Sequence, residues 1–533
     1  MAWFDIFKQR QSSIQQPTPT NSSGYRRENW YPVVTERFDG EKTPGELGVY
    51  RNLLPNHDGL RYRAYEADLK SDIVRIITGK FFKFIIGTGL KLQSEPNTDA
   101  LRTEGINVDD LTVFRNNVEA RFNVYSKSRY SCYIGMDNLH DRAAEAFKCA
   151  FLGGDCLAVL RVDNKNNINM QVIDGQHVKS PSFDAAELKA VKSRGNTLEH
   201  GIEVSPKGEH VAFYVQVKDS NSILGKFERI EARGAKTGRL MAWMVYGSKH
   251  RIDHHRGIPI ITSILEKVEK LDRYTEAVVG SAEERAKIVF SVEHNRDSDG
   301  ENPLLGKARQ ATGLGNNAAK ETSGYDLGEK TAAVIAATTS KQTFNMPIGS
   351  SLKSLSSVTE MQYETFSKAI FYFLCAAVDI PPEVALQQYE QNYSSSRAAI
   401  NGWDYIVKIY RQKFAEKFYQ PFYNLWLEIE ILKNKIPAEG FTSALRTNNF
   451  MVVESYCQAR FTGVNMPHID PLKEVKAIRE MLGEDTAALI SREQASEMLG
   501  VGDWQKNMEK FIEESKIVPE EPKENTQTNE PDR

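Results

Sequence analysis

The sequence predicts an α+β fold of several domains. Three observations carry that reading. Apolar residues recur at three- and four-residue steps through residues 257–287, 352–380 and 397–437, which is helical periodicity sustained over long stretches. Residues 155–250 hold short runs of alternating apolar and polar residues punctuated by Gly, Pro, Asn and Asp, the pattern of strands and hairpins. At 533 residues the chain is long enough for several domains with cores of their own.

Taken in order, residues 11–30 are rich in Ser, Gln, Pro, Thr and Asn, so residues 1–56 are expected to form a partly disordered arm. From 57 to 92 a helix is expected through Leu60, Ile73, Ile76, Ile77 and Phe81, ending in the turn Gly87-Thr88-Gly89-Leu90. These glycines could be drawn as a phosphate loop. They follow a helix, however, and phosphate loops open one, so a C-cap before a strand is the better reading. Residues 107–153 read as helical, with Phe122, Tyr125 and Tyr130 as core candidates and a helix over 141–151 stopped by Gly153 and Gly154. Strands are expected at 156–162, 168–173 and 240–246, a turn at Asp174-Gly175, and a hairpin over 201–217. His250, His254 and His255 have no cysteine or second ligand cluster beside them and match no usual zinc spacing, so they read as a polar junction.

A helix of about 26 residues, roughly 39 Å long at 1.5 Å per residue, then carries Ile261, Ile264, Leu265, Val268, Leu271, Tyr274, Val278 and Ala282 on one face. Its other face holds Glu266, Lys267, Glu269, Lys270, Asp272 and Arg273. Strands are expected at 288–292 and 331–338. Their connection, 293–330, is dense in Gly, Asn, Asp and Lys, and a loop this long is usually functional or mobile. Leu352, Leu355, Val358 and Met361, then Phe366, Ile370, Phe373 and Ala377, place a second long helix over 352–380. It is apolar on every side from 369 to 378 and is expected to be covered by protein all round.

Pro381 and Pro382 stop that helix, since proline lacks the N–H and clashes with the preceding turn. Gln387, Gln388, Tyr389, Glu390, Gln391, Asn392 and Tyr393 form a loop with no aliphatic residue, and Ser394, Ser395 and Ser396 offer N-caps to the next helix. That helix carries Trp403, Ile406, Val407, Tyr410, Phe414, Phe418 and Phe422 on one stripe, with a kink expected at Pro421. Residues 438–460 read as helical or mixed. Asp470 is a sound N-cap before Pro471 at a first helical position. A last helix spans 491–515, and the tail from Glu513 is acidic and expected to be disordered.

The totals exclude several classes. Lys and Arg number 68 against 71 Asp and Glu, so no global field draws the chain onto nucleic acid. The five cysteines form no C-x-x-C pair and read as buried free thiols of a reducing compartment. The start, Met1-Ala2-Trp3-Phe4-Asp5-Ile6-Phe7, lacks the order of a signal peptide, and no apolar run approaches the roughly 20 residues that span a bilayer. A soluble protein made in the cytoplasm is expected.

Asp379-Ile-Pro-Pro-Glu-Val, followed by Asn392-Tyr-Ser-Ser-Ser-Arg397-Ala-Ala and then Trp403, resembles the portal proteins of lambda-like tailed phages. The turn Arg256-Gly257-Ile258-Pro259 and the element Asp470-Pro471-Leu472-Lys473-Glu474 resemble that family too. The resemblance implies an α+β multidomain portal fold in a ring, usually of twelve copies. It implies an N-terminal arm (1–56), a wing (57–256), a first stem helix (257–287) and a clip (288–351). It further implies a second stem helix (352–380), a channel loop (381–396), a long kinked wing helix (397–437), a helical crown (438–512) and a tail (513–533). The implied function is the ring at one capsid vertex that conducts double-stranded DNA without sequence preference during packaging and ejection. The implied partners are further copies of itself, the large terminase subunit, the major capsid and scaffold proteins and the head-tail connector proteins, with no cofactor, no metal and no membrane. The implied location is the virion, after assembly in the host cytoplasm.

The channel loop 387–393 holds no Lys or Arg and one carboxylate, Glu390. Cationic contacts repeated around a ring would hold the duplex in a salt-dependent grip, whereas amides and tyrosines let it pass. No G-x-x-x-x-G-K-[ST], H-E-x-x-H or G-x-S-x-G is present, so no catalytic residues are assigned. Two other classes compete: a metal-dependent nuclease or hydrolase with a carboxylate site, and a helical scaffold or adaptor.

Overall fold

The computed structural model describes residues 34–39, 50–106, 111–181, 185–219, 222–252, 254–287, 291–294, 350–353, 360–388, 393–464, 471–483, 488–502 and 504–517. The chain divides into two compact units, Met1–Leu265 with Val378–Arg533, and Glu266–Ala377.

The larger unit opens with a hairpin, β1 (Val34–Asp39) on β2 (Tyr50–Pro55), within the segment expected to be an arm. Helices α1 (His57–Lys70) and α2 (Asp72–Ile85) follow. The sequence reads there as one helix, but Ser71 is extended (φ −98°, ψ 122°) and splits it. Asn56 caps α1, its side-chain oxygen accepting from Gly59 N. Gly87 and Gly89, both at positive φ, turn the chain from α2 into β3 (Lys91–Ser94), so the C-cap reading holds. A Cβ on Gly89 would lie 2.3 Å from the His140 ring.

Next come α3 (Thr98–Thr103), α4 (Thr112–Ser126) and α5 (Leu139–Gly153). A capping box of Asn138 and Asp141 starts α5, and Gly154 at φ 89° ends it. Phe122 is core, but Tyr130 is 71 % exposed, because it sits in a short 3-10 turn past the end of α4 and off that helix's buried stripe.

Strand β4 (Asp155–Val162) is central in an antiparallel sheet of order β10-β4-β5, with β5 (Ile168–Asp174) and β10 (Ala242–Tyr246) on its sides. A second antiparallel sheet runs β6 (Thr197–Glu199), β7 (Ile202–Val204), β8 (His210–Asp219), β9 (Ser222–Glu231), preceded by α6 (Ala185–Ser193). Leu157, Val159, Ile202, Phe213, Val215 and Met244 join the two sheets in one core.

In the second unit, α7 (Leu265–Lys287) and α8 (Glu360–Ala377) flank the pair β11 (Ser291–His294) and β12 (Ser350–Lys353). Helix α7 starts later than its periodicity implies, because residues Ile260–Ser263 form a 3-10 turn behind Pro259. Leu352 lies opposite Val292 in the strand pair, not in a helix, and α8 begins at Glu360. The three-residue spacing of Leu352 and Leu355 is compatible with either state, and strand pairing decides it. Tyr274 of α7 stacks on Tyr363 and meets Phe366 edge-on, at 5.8 and 4.8 Å between ring centroids, and Thr275 Oγ1 lies 3.2 Å from the Tyr363 hydroxyl. The expected strand 331–338 and, from residue 295 on, its connection 293–330 lie outside the described residues.

Back in the larger unit, short α9 (Pro382–Leu386) precedes α10 (Tyr393–Leu432), which runs through Pro421. Trp403, Val407, Phe414, Phe418 and Phe422 of its stripe are buried. Ring contacts with Phe81 of α2, Phe147 of α5 and Phe122 of α4 make α10 the spine of this unit. Helices α11 (Phe441–Thr447) and α12 (Phe450–Cys457) lead into β13 (Ala459–Thr462), which pairs antiparallel with β3. Then come α13 (Pro471–Leu482), α14 (Arg492–Leu499) and α15 (Trp504–Ile517). The single helix expected over 491–515 is two, because Gly500 and Gly502 take positive φ between them. Helix α15 also carries Glu513 and Glu514 to Ile517, so this part of the expected disordered tail is helical, with Lys516 in the last turn where the helix dipole favours a cation.

Candidate functional site

Two segments carry the candidate site: the turn between α8 and α10, and the buried charges that hold the Arg256-Gly257-Ile258-Pro259 turn. Helix α8 ends at Ala377, ahead of the prolines, and Asp379 adopts the left-handed conformation at φ 58°. Pro381 and Pro382 therefore open α9 as its cap and first residue; they do not terminate α8. A first helical position tolerates proline because its missing N–H would have no partner there.

Gln387 and Gln388 are exposed, and both backbone N–H groups donate to the Glu383 carbonyl, closing α9 with Gln387 left-handed at φ 57°. Tyr389, Glu390, Gln391 and Asn392 lie outside the described residues, as does Asp470. Tyr393, Ser394 and Ser395 fall within the first turn of α10, so the serines are first-turn residues and not caps. Arg397 on that helix lies 3.8 Å from Glu474 of α13, the helix that Pro471 opens. Two of the motif stretches thus meet in space. Trp403 is fully buried, edge-on to Phe81 at 5.1 Å.

Arg411, about two turns further along α10, donates to the carbonyls of Phe84, Ile85 and Val464. It thereby satisfies acceptors left over at the C-terminal end of α2. Burial lowers its pKa from the ordinary arginine value.

The turn at Arg256 rests on a fully buried carboxylate, Asp155, at the start of β4. Arg256 Nε and Nη2 donate to it at 2.7 and 2.9 Å, Arg61 Nη2 of α1 at 2.6 Å, and the Gly257 N–H at 2.8 Å. Arg256 also donates to the carbonyls of Val178, His200 and Gly175, which locks both sheets to the turn. Burial works against the carboxylate, but Arg256, Arg61 and the Gly257 N–H outweigh it and hold the Asp155 pKa below its ordinary value. A Cβ on Gly257 would lie 2.0 Å from the Gly154 carbonyl oxygen, so only glycine fits. Pro259 then starts the 3-10 turn that leads into α7.

Around this hub, His57 Nδ1 lies 3.1 Å from the Gly257 carbonyl, and burial, with His200 and Arg256 adding, lowers its pKa to about 4. His210 and His255 are 3.1 Å apart through Nε2 and Nδ1. No group of three or more His, Cys, Asp or Glu that could hold a metal is found among the described residues. Sequence reasoning missed Asp155 and Arg61, whose links to each other and to Arg256 span 94 and 101 positions and leave no local signal.

A proline-capped turn leads into the long helix α10, in a unit of mixed helices and antiparallel sheets. The family model described as "Phage portal protein, lambda family" matches residues 36–411, well over half of the chain. The chain belongs to that family, and the portal reading stands over the nuclease and adaptor readings. No curated protein matches it. Among solved structures it is similar to chains described as "Neck of empty GTA particle computed with C6 symmetry" and "Neck of native GTA particle computed with C12 symmetry". The first is 12 % identical with a TM-score of 0.41, covering 83 % of this chain and 94 % of that one. The second is 12 % identical with a TM-score of 0.35, covering 80 % and 99 %.

Proposed function

We propose that this portal protein forms a homododecameric ring at one capsid vertex, through which double-stranded DNA passes during packaging and ejection. The family match over residues 36–411 carries the reading. The face of α8 supports the ring: Phe366, Tyr372 and Phe373 are 48, 48 and 69 % exposed, so one copy leaves uncovered a helix whose composition calls for cover on all sides. A heterologous interface that closes on itself would cover it.

In this proposal the loop 387–393 faces the DNA, with Gln387 and Gln388 as contacts that neither attract nor hold a phosphate. Residues 288–351 form the clip that meets the large terminase subunit and later the head-tail connector proteins, while the wing and crown meet capsid and scaffold proteins. The chain supplies no catalysis and takes no cofactor; the packaging motor is a separate protein. Among the described residues no helix is long and apolar enough to cross a membrane.

Light scattering coupled to size exclusion, with negative-stain imaging of the purified chain, tests the reading. Rings of about a dozen subunits with a central hole are expected. A compact monomer at micromolar concentration, with no ring on adding capsid and scaffold proteins, overturns it.

A further inference from the structure

Two of the five cysteines face each other across one turn. Cys149 lies on α5 and Cys156 on β4, seven positions apart, with Gly153 and Gly154 turning the chain between them. Each thiol reaches into the other's element: Cys149 Sγ lies 3.6 Å from the Asp155 carbonyl oxygen, and Cys156 Sγ 3.5 Å from the Ala146 carbonyl oxygen. Cys149 is half-buried and Cys156 fully buried, while Cys132, Cys375 and Cys457 are buried elsewhere. All five are thiols in this structure.

We propose that Cys149 and Cys156 are a reversible disulfide site, closed by a small-molecule disulfide such as oxidised glutathione. Cys149, the reachable thiol, attacks as thiolate; its sulfur bonds to one glutathione sulfur as the glutathione S–S bond breaks, and the first glutathione thiolate leaves. Cys156 then gives its proton to solvent and attacks the Cys149 sulfur, forming the Cys149–Cys156 bond and releasing the second glutathione. Two protein thiols are oxidised and one glutathione disulfide is reduced to two thiols. The neighbouring Cys149 thiol, and then burial, hold Cys156 strongly in its protonated form, so the second step is slow. The pair therefore persists as thiols in a reducing cytosol and closes on long exposure to an oxidising medium. Closure ties the end of α5 to β4 on either side of Asp155, clamping the residue on which Arg61 and Arg256 converge. This inference does not depend on the ring.

The full-length native chain is incubated in glutathione buffers of rising oxidised fraction, alkylated, and mapped by non-reducing peptide mass spectrometry. The expected result is loss of two of the five thiols, appearance of one peptide linked through Cys149 and Cys156, and recovery of both thiols with dithiothreitol. Cys132→Ser should leave the link intact, and Cys156→Ala should abolish it and leave glutathione on Cys149. Absence of the linked peptide in the unsubstituted protein at every buffer composition overturns the proposal, as does glutathione resting on Cys149 with Cys156 free.

Discussion

Replacing Asp155 with alanine should cripple the larger unit. The carboxylate is fully buried and accepts four hydrogen bonds, from Arg256 Nε, Arg256 Nη2, Arg61 Nη2 and Gly257 N. Its removal leaves Arg61 and Arg256, themselves 2 and 4 % exposed, without the charge that offsets their desolvation. Breaking a buried ion pair from one side costs about 3–5 kcal/mol. The larger unit holds roughly 420 residues, for which each kcal/mol lowers Tm by about 1 °C, so the fall should be roughly 3–6 °C. Differential scanning fluorimetry at neutral pH reads it directly. Arg256→Lys, which keeps the charge but loses the two-pronged contact, should fall between the wild type and the alanine variant. The pH dependence has a definite sign. Because the folded pKa of Asp155 lies below its ordinary value, its contribution is complete above the unfolded carboxylate range near ~4 and is lost as pH drops through the folded value. An Asp155→Ala protein melting within about 1 °C of the wild type would show that the hub does not hold the two sheets to α1, and the reasoning would fail.

Three further outcomes are expected. Stability should fall as pH drops from 6.5 towards about 4, because burial lowers His57 and His210 to about 4 and the unfolded chain takes up protons first; His57→Asn should flatten that profile in urea titrations across pH. Phe373→Asp should leave the melting temperature within about 1 °C, since the side chain is 69 % exposed, yet prevent ring formation by light scattering; intact rings from this variant would remove α8 from the interface. Gln387→Lys with Gln388→Lys should reduce DNA filling in a packaging assay, with partial rescue at higher salt, because each added cation repeats in every subunit; normal filling at low salt would take these residues out of the channel.

Local chemistry made much of the architecture legible in the sequence. The stripe from Trp403 to Phe422, the glycines after α2 and the alternating residues of β8 each announce their element, because helix, cap and strand impose their periods on the residues that build them. Charge balance and the missing catalytic motifs narrowed the class, and the stretch from Asp379 to Trp403 pointed to the family. Where two states were locally compatible, neighbours decided: Leu352 pairs with Val292 in a strand although its spacing suits a helix, and Ser71 breaks what reads as one helix. Only the tertiary structure disclosed that Asp155, Arg61 and Arg256 share one buried site and that Arg411 caps α2. A lone arginine or aspartate carries no period and no fixed spacing to its partner. Its meaning comes from what the fold brings within hydrogen-bond reach, and here those partners stand 94, 101 and 326 positions away.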